Sequence, residues 1–170
     1  MWNRQVENFG KLCDACRDLR LMVSMEAPVT QNHVNTLPKA LDVIKESGKD
    51  NAVICLDPMH FWRVGHQPSM LRGEDPKLFP YTQFRDGSPT SGPGARPDAG
   101  APTQQPGMGE GHVPLGEILD NLPRGLLLSI EWSRPRDSDI TPHQWAKHAL
   151  DGTKKVVERY YAEKEAAAAR

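Results

Sequence analysis

The chain has 170 residues, enough to bury a substantial core in one domain, and its 21 Lys and Arg against 22 Asp and Glu leave a formal net charge of -1. That balance supplies no clustered cations for a phosphate backbone, so a nucleic-acid partner is disfavoured. No apolar run approaches the roughly 20 residues needed to cross a bilayer, and the start MWNRQVENF lacks the basic and apolar regions of a secretory leader. Cys13, Cys16 and Cys55 form an odd set, which fits reduced thiols and a cytoplasmic location better than a disulfide framework.

In chain order, Val6, Phe9, Cys13, Cys16 and Leu19 fall near one stripe and predict a helix over residues 2–19. The C-x-x-C spacing of Cys13 and Cys16 has no second pair to complete a zinc site, so helix packing at i,i+3 is the favoured reading. Residues 20–25 form a short extended run that ends before Pro28. Leu37, Ala40, Leu41 and Ile44 repeat with helical period, and Gly48 supplies the stop. Ala52 to Leu56 is nearly all apolar, like a strand covered on both faces. Met70 and Leu71 suit a short helix, and residues 78–84 a further strand. The segment 87–111 is rich in glycine, proline, serine and threonine and predicts a flexible loop. Residues 114–122 suit a helix and 126–130 a strand. Thr141 and Pro142 then make a cap and first-turn pair for a long final helix.

Helix and strand therefore alternate four times, which predicts an α/β fold with parallel strands. The apolar runs close on Glu26, Asp57 and Glu131, and the residue 78–84 run carries Gln83. In a parallel sheet or barrel the carboxyl ends of strands share one face, so these four groups are expected to converge. Carboxylate and amide oxygens suit a divalent metal, with Mg²⁺ or Mn²⁺ favoured and Zn²⁺ the alternative; the competing reading of each acid is a helix-capping or salt-bridged group. His60, just beyond Asp57, is a candidate to move a proton or hold a substrate oxygen; the competing reading is a histidine bonded to loop backbone. Arg63 and His66 are expected on a glycine-containing turn, where Arg63 would clamp an anion or face solvent. Trp62 would line the pocket mouth or cover helix ends, and Trp132 would wall the pocket or serve packing. Glu110, between two glycines, would reach a ligand or simply form a turn. Arg85 and Asp86 are expected to pair with each other, with Asp86 also able to orient a ligand. His33 ranks low as a substrate contact.

The pieces FGKLCDACRDLRLMVSME, ICLDPMHFWRVG, YTQFRD, GEGHVPLGEIL and SIEWSRP followed by ITPHQWAKHALDG occur in an order that resembles the xylose isomerase-like TIM-barrel superfamily. The resemblance is to the carboxyl-terminal half of its sugar phosphate isomerase/epimerase branch, over about residues 5–162. It implies a partial TIM barrel of four β/α units resembling strands five to eight, in a single domain over 1–170. It further implies Glu26, Asp57, Gln83 and Glu131 as metal ligands and His60 and Arg63 as substrate contacts. Glu26 and Glu131 are the carboxylates to test as a proton-shuttling pair. The implied activity is metal-dependent isomerisation or epimerisation of a sugar or sugar phosphate. The alternatives are a lyase of the 3-dehydroshikimate dehydratase type, acting on a carboxylated hydroxy compound, and a non-catalytic half-barrel module. A nuclease acting at abasic sites is the weaker implication, for want of a cationic groove. A complete barrel usually takes about 250 residues, so an incomplete homologue or fragment is the favoured expectation, followed by a barrel completed by a second copy or by a missing amino-terminal half. An open half-barrel is also expected to expose inward apolar side chains and sheet edges.

Overall fold

The computed structural model describes residues 1–88, 106–133 and 139–169. In chain order these form α1 (Trp2–Arg17), β1 (Val23–Met25), α2 (Leu37–Ser47), β2 (Ala52–Leu56), α3 (Pro58–Arg63), β3 (Tyr81–Phe84), α4 (Leu115–Asp120), β4 (Leu127–Ile130) and α5 (Pro142–Ala168). Two 3₁₀ turns, Pro68–Leu71 and Pro76–Leu78, lie between α3 and β3. The strands build one open, parallel, four-stranded sheet in the order β1-β2-β3-β4. An α/β architecture with successive parallel neighbours is that of a partial TIM barrel. The middle of the Gly/Pro-rich segment, 89–105, lies outside the described residues.

Local chemistry explains the boundaries. Thr36 caps α2 by accepting from the Lys39 N–H, Pro38 occupies the first turn, and Gly48 ends the helix at φ 63°, a left-handed conformation that glycine adopts without steric cost. Thr141 and Gln144 make a reciprocal capping box at the start of α5. In place of the turn expected around Arg63, the chain forms helix α3. The Asp57 side chain accepts from the His60 N–H at 3.0 Å and Pro58 takes the first helical position, so the start is both capped and pre-organised.

Side chains alternate across each strand, and the two faces differ. One face, carrying Val23, Ile54, Leu56 and Phe84, packs with Phe9, Cys13, Leu37, Val43 and Ile118 into the apolar core. Cys13 is buried in that core and Cys16 packs against it, in agreement with the packing reading of the C-x-x-C pair. The other face carries Ser24, Val53, Cys55, Tyr81, Gln83 and Ser129. Ser24 Oγ and Tyr81 Oη are 2.9 Å apart and share a hydrogen bond across the sheet. The expected exposure of inward apolar side chains is therefore only partly realised. Val53 and Cys55 are buried and much of this face is polar, whereas Leu127 at its β4 end is 65% exposed.

Candidate metal and substrate site

The carboxyl ends of the strands form a compact charged cluster. Glu26 follows β1, Asp57 links β2 to α3, Arg85 follows β3 and Glu131 follows β4. Parallel register carries these residues to the same end, and alternation points Gln83 and Arg85 to the same face, since they are two apart. Single ligand atoms from Glu26, Asp57 and His60 all lie within 4.8 Å of one another, a spacing compatible with one ion. His60 Nε2 is 3.7 Å from Glu26 Oε1 and 3.9 Å from Asp57 Oδ2. His60 thus stands inside the acidic set, where the sequence placed it beside that set.

Arg85 organises the remainder. Its Nε lies 2.6 Å from Asp57 Oδ2, Nη1 3.0 Å from Glu131 Oε1, and Nη2 2.8 Å from His60 Nε2. The expected Arg85–Asp86 pair is corrected: adjacent residues in extended backbone point to opposite sides, so Arg85 enters the cluster while Asp86 leaves it. Asp86 instead accepts backbone N–H bonds from Gly87, Gly109, Gly111 and Val113, at 2.8 to 3.1 Å. Gly111 is required there, because a Cβ would fall 2.2 Å from Asp86 Oδ1. Asp86 ties the two ends of the Gly/Pro-rich segment together.

Burial sets the electrostatics. Asp57 is 3% exposed, and its carboxyl is pushed up to about 6 by desolvation, against the opposing pull of Arg85. The Arg85 Nε–H is not aimed at Asp57 Oδ2 despite the short separation, so this is a charge contact and not a hydrogen bond, and Oδ2 keeps an unused lone pair. Glu26 is raised by burial and then by the nearby negative charge of Glu131. His60 is pushed down to about 3 by burial and by Arg85 and Arg63, which keeps the imidazole neutral. A buried carboxylate with a free lone pair and a half-buried second carboxylate, beside a neutral imidazole that adds no positive charge, fit a divalent cation.

The other expected site residues separate into two groups. Gln83 reaches the mouth, where its Oε1 accepts from the Cys55 thiol at 3.1 Å. Burial raises that thiol to about 11, so it stays protonated as a donor. Arg63 is buried as the last residue of α3, which corrects the turn assigned to it. Trp62 packs against Gly87, whose missing Cβ would come within 3.2 Å of the indole. Glu110 folds back to accept the Gly107 N–H at 3.1 Å, within its own turn. Trp132 packs against Trp145 in a tilted arrangement with ring centroids 4.4 Å apart, as its packing reading expects. His66 accepts the Leu37 N–H and is likewise structural. His33 lines an open cleft of about 450 Å³ beside Glu26, together with Gln5, Asn8, Pro28 and Gln31.

Parallel β/α units with carboxylates gathered at the strand ends define a half of a barrel with a metal-type site. The sequence profile of the xylose isomerase-like TIM barrel family matches residues 1–156, and the chain belongs to that family. No curated protein sequence gives a significant match. Among solved structures, the IolI protein with a binding zinc atom superposes with a TM-score of 0.79 at 22% identity, over 94% of this chain and 57% of that one. The probable 3-DHS dehydratase AsbF of Bacillus anthracis, involved in petrobactin synthesis, gives 0.65 at 22% identity, over 84% and 55%. L-ribulose 3-epimerase gives 0.63 at 19% identity, over 99% and 58%. The chain thus spans just over half the length of these proteins, and at such identities the likeness is one of fold. Among the described residues no helix is long and apolar enough to cross a membrane.

Proposed function

We propose that this chain supplies the metal-binding half of a divalent-metal-dependent sugar or sugar-phosphate isomerase or epimerase, completed by a second copy or by a separate amino-terminal half. The observation that carries this reading is the convergence of Glu26, Asp57 and His60 on one point, with Glu131 joined to it through Arg85. Asp57, Glu26, Glu131 and Gln83 are the assigned ligands, and Mn²⁺ or Mg²⁺ suits their oxygens, with Zn²⁺ as the alternative that IolI illustrates. When bound, the ion polarises adjacent hydroxyl and carbonyl oxygens and so acidifies the carbon-bound hydrogen between them.

The protein groups then divide the proton transfers. Glu131 accepts the proton leaving carbon. Glu26, whose carboxyl is raised by burial and then by Glu131, is the second carboxylate of the pair and returns the proton. His60, kept neutral, positions a substrate oxygen from Nε2 when it leaves Arg85. The cleft that Glu26 helps to line provides space for a substrate on that side of the cluster.

A second reading, a dehydratase acting on a carboxylated cyclic hydroxy compound, is favoured by the two buried guanidinium groups, Arg63 and Arg85, beside His60. Their charge would bind a substrate carboxylate that a neutral sugar lacks.

The test is hydrogen exchange in D₂O with Mn²⁺, on purified protein whose mass in solution and bound metal are measured on the same sample. Deuterium entering a ketose or aldose next to its carbonyl, and lost in Glu131→Gln, is expected. Loss of water from a carboxylated substrate, without exchange into neutral sugars, would establish the dehydratase instead. Neither activity in a metal-loaded assembly leaves the non-catalytic module.

A further inference from the structure

The sequence contains a second cation source that the strand-end pattern alone does not reveal. Arg85 is 7% exposed, and its three guanidinium nitrogens face Asp57 Oδ2, His60 Nε2 and Glu131 Oε1 at 2.6, 2.8 and 3.0 Å. These atoms belong to the same groups that the metal reading assigns to ligation and substrate contact, so one positive charge already stands where the other is to go. We propose that Arg85 is a built-in counter-cation that competes with the divalent metal for Asp57 and Glu131, so that docking of its guanidinium in the cluster and metal loading exclude each other. This inference rests on the metal reading above.

The contacts have the character of a displaceable occupant. The Nε–H is not aimed at Asp57 Oδ2, which leaves that oxygen without a hydrogen bond although it is buried. His60 lies between two donors, the Val29 N–H at 3.4 Å from Nδ1 and Arg85 Nη2 at Nε2. A neutral imidazole has one lone pair, so it satisfies one donor and opposes the other. Glu131, by contrast, is 38% exposed at its side chain and can follow the guanidinium outward. A metal ion at Asp57 Oδ2 would sit against a fixed guanidinium with little water between them, and two like charges so placed repel strongly. Release of Arg85 toward solvent would relieve this repulsion and free His60 Nε2 together with the Asp57 lone pair. Without metal, the same guanidinium supplies the positive charge that offsets the buried acids, so the empty-handed acidic cluster does not have to fold uncompensated.

The experiment is calorimetric titration of the full chain with Mn²⁺ and, separately, Zn²⁺, for wild type, Arg85→Gln and Arg85→Lys, alongside thermal unfolding with and without metal. Arg85→Gln is expected to bind metal about tenfold or more tightly than wild type, to unfold at a lower temperature without metal, and to gain more from metal addition. Arg85→Lys, whose single ammonium reaches fewer partners, is expected to fall between the two and covers the case in which the Gln variant folds poorly. Equal metal affinity in all three proteins overturns the competition while leaving the metal reading intact. Absence of metal binding from all three overturns both.

Discussion

Two buried aspartates, Asp57 and Asp86, are 3% and 4% exposed and are settled in opposite ways. Asp86 receives four backbone N–H groups, so its lone pairs are saturated by donors that cannot leave without unfolding the segment. Asp57 receives one backbone N–H, from His60, and otherwise faces an imperfectly aimed guanidinium. Equal burial therefore does not mean equal purpose: the saturated carboxylate holds chain together, and the unsaturated one keeps binding capacity for something else. The difference arises from position, because Asp86 faces a glycine-rich backbone and Asp57 faces side chains at the strand ends.

The largest expected effect breaks the comparison at Asp86. Replacing Asp86 with Ala leaves four inward N–H groups without their acceptor, which is expected to cost about 3–5 kcal/mol of stability by urea unfolding. Asp86→Asn, which retains one oxygen acceptor, is expected to lose less. A cost below about 1 kcal/mol for the alanine variant would show that water replaces the carboxylate and that the segment is not anchored there.

Much of this arrangement is visible in the sequence, and the part that is not has a definite cause. The helical stripes of α1 and α2, the apolar run of β2 and the Thr141-Pro142 start of α5 all follow local periodicity and capping, which a single sequence displays directly. Glu26, Asp57 and Glu131 were legible because each closes a strand, and parallel topology brings strand ends together. Arg85 was missed as a member of the site, although the period of two that links it to Gln83 was available as a signal. Sequence adjacency suggested an Arg85–Asp86 pair, whereas extended backbone separates neighbours onto opposite faces. Helix α3 was missed for a different reason. Capping is one of the two roles that each strand-end acid offers, and Asp57 does cap a helix that begins at Pro58, but the short MHFWR stretch carries too little periodicity to show that helix in the sequence. What covers the polar face of the sheet is a long-range property that no local pattern encodes.

The second expected effect sharpens how Asp57 and His60 share the cluster, in protein kept metal-free by chelator. The Asp57 carboxyl is raised from 3.8 to about 6, so its contribution to stability is present below about pH 4 and is lost as pH climbs to 6. His60 is lowered from 6.5 to about 3, so its contribution is present above pH 6.5 and is lost as pH falls toward 3. Between about pH 4 and 6 the two slopes oppose each other. His60→Gln removes one of them: relative to wild type, this variant is expected to gain about 2 kcal/mol as pH falls from 6.5 to 4. Thermal unfolding at matched pH values reads the difference, and parallel profiles for the two proteins would mean that His60 charges freely in the fold.

The smallest expected effect tests how far the binding capacity extends along the mouth. Gln83 is neutral, and its Oε1 already accepts from the protonated Cys55 thiol, so joining a metal would forfeit that bond. Asp57 contributes charge and a buried oxygen with no hydrogen bond to give up. Gln83→Ala is therefore expected to weaken Mn²⁺ binding by about fivefold or less, under 1 kcal/mol, and Asp57→Asn by far more. If the Gln83 variant instead loses as much affinity as the Asp57 variant, Gln83 must exchange the thiol for the ion. The ligand set would then reach across β3, and the line between satisfied and unsatisfied groups would no longer predict which of them bind.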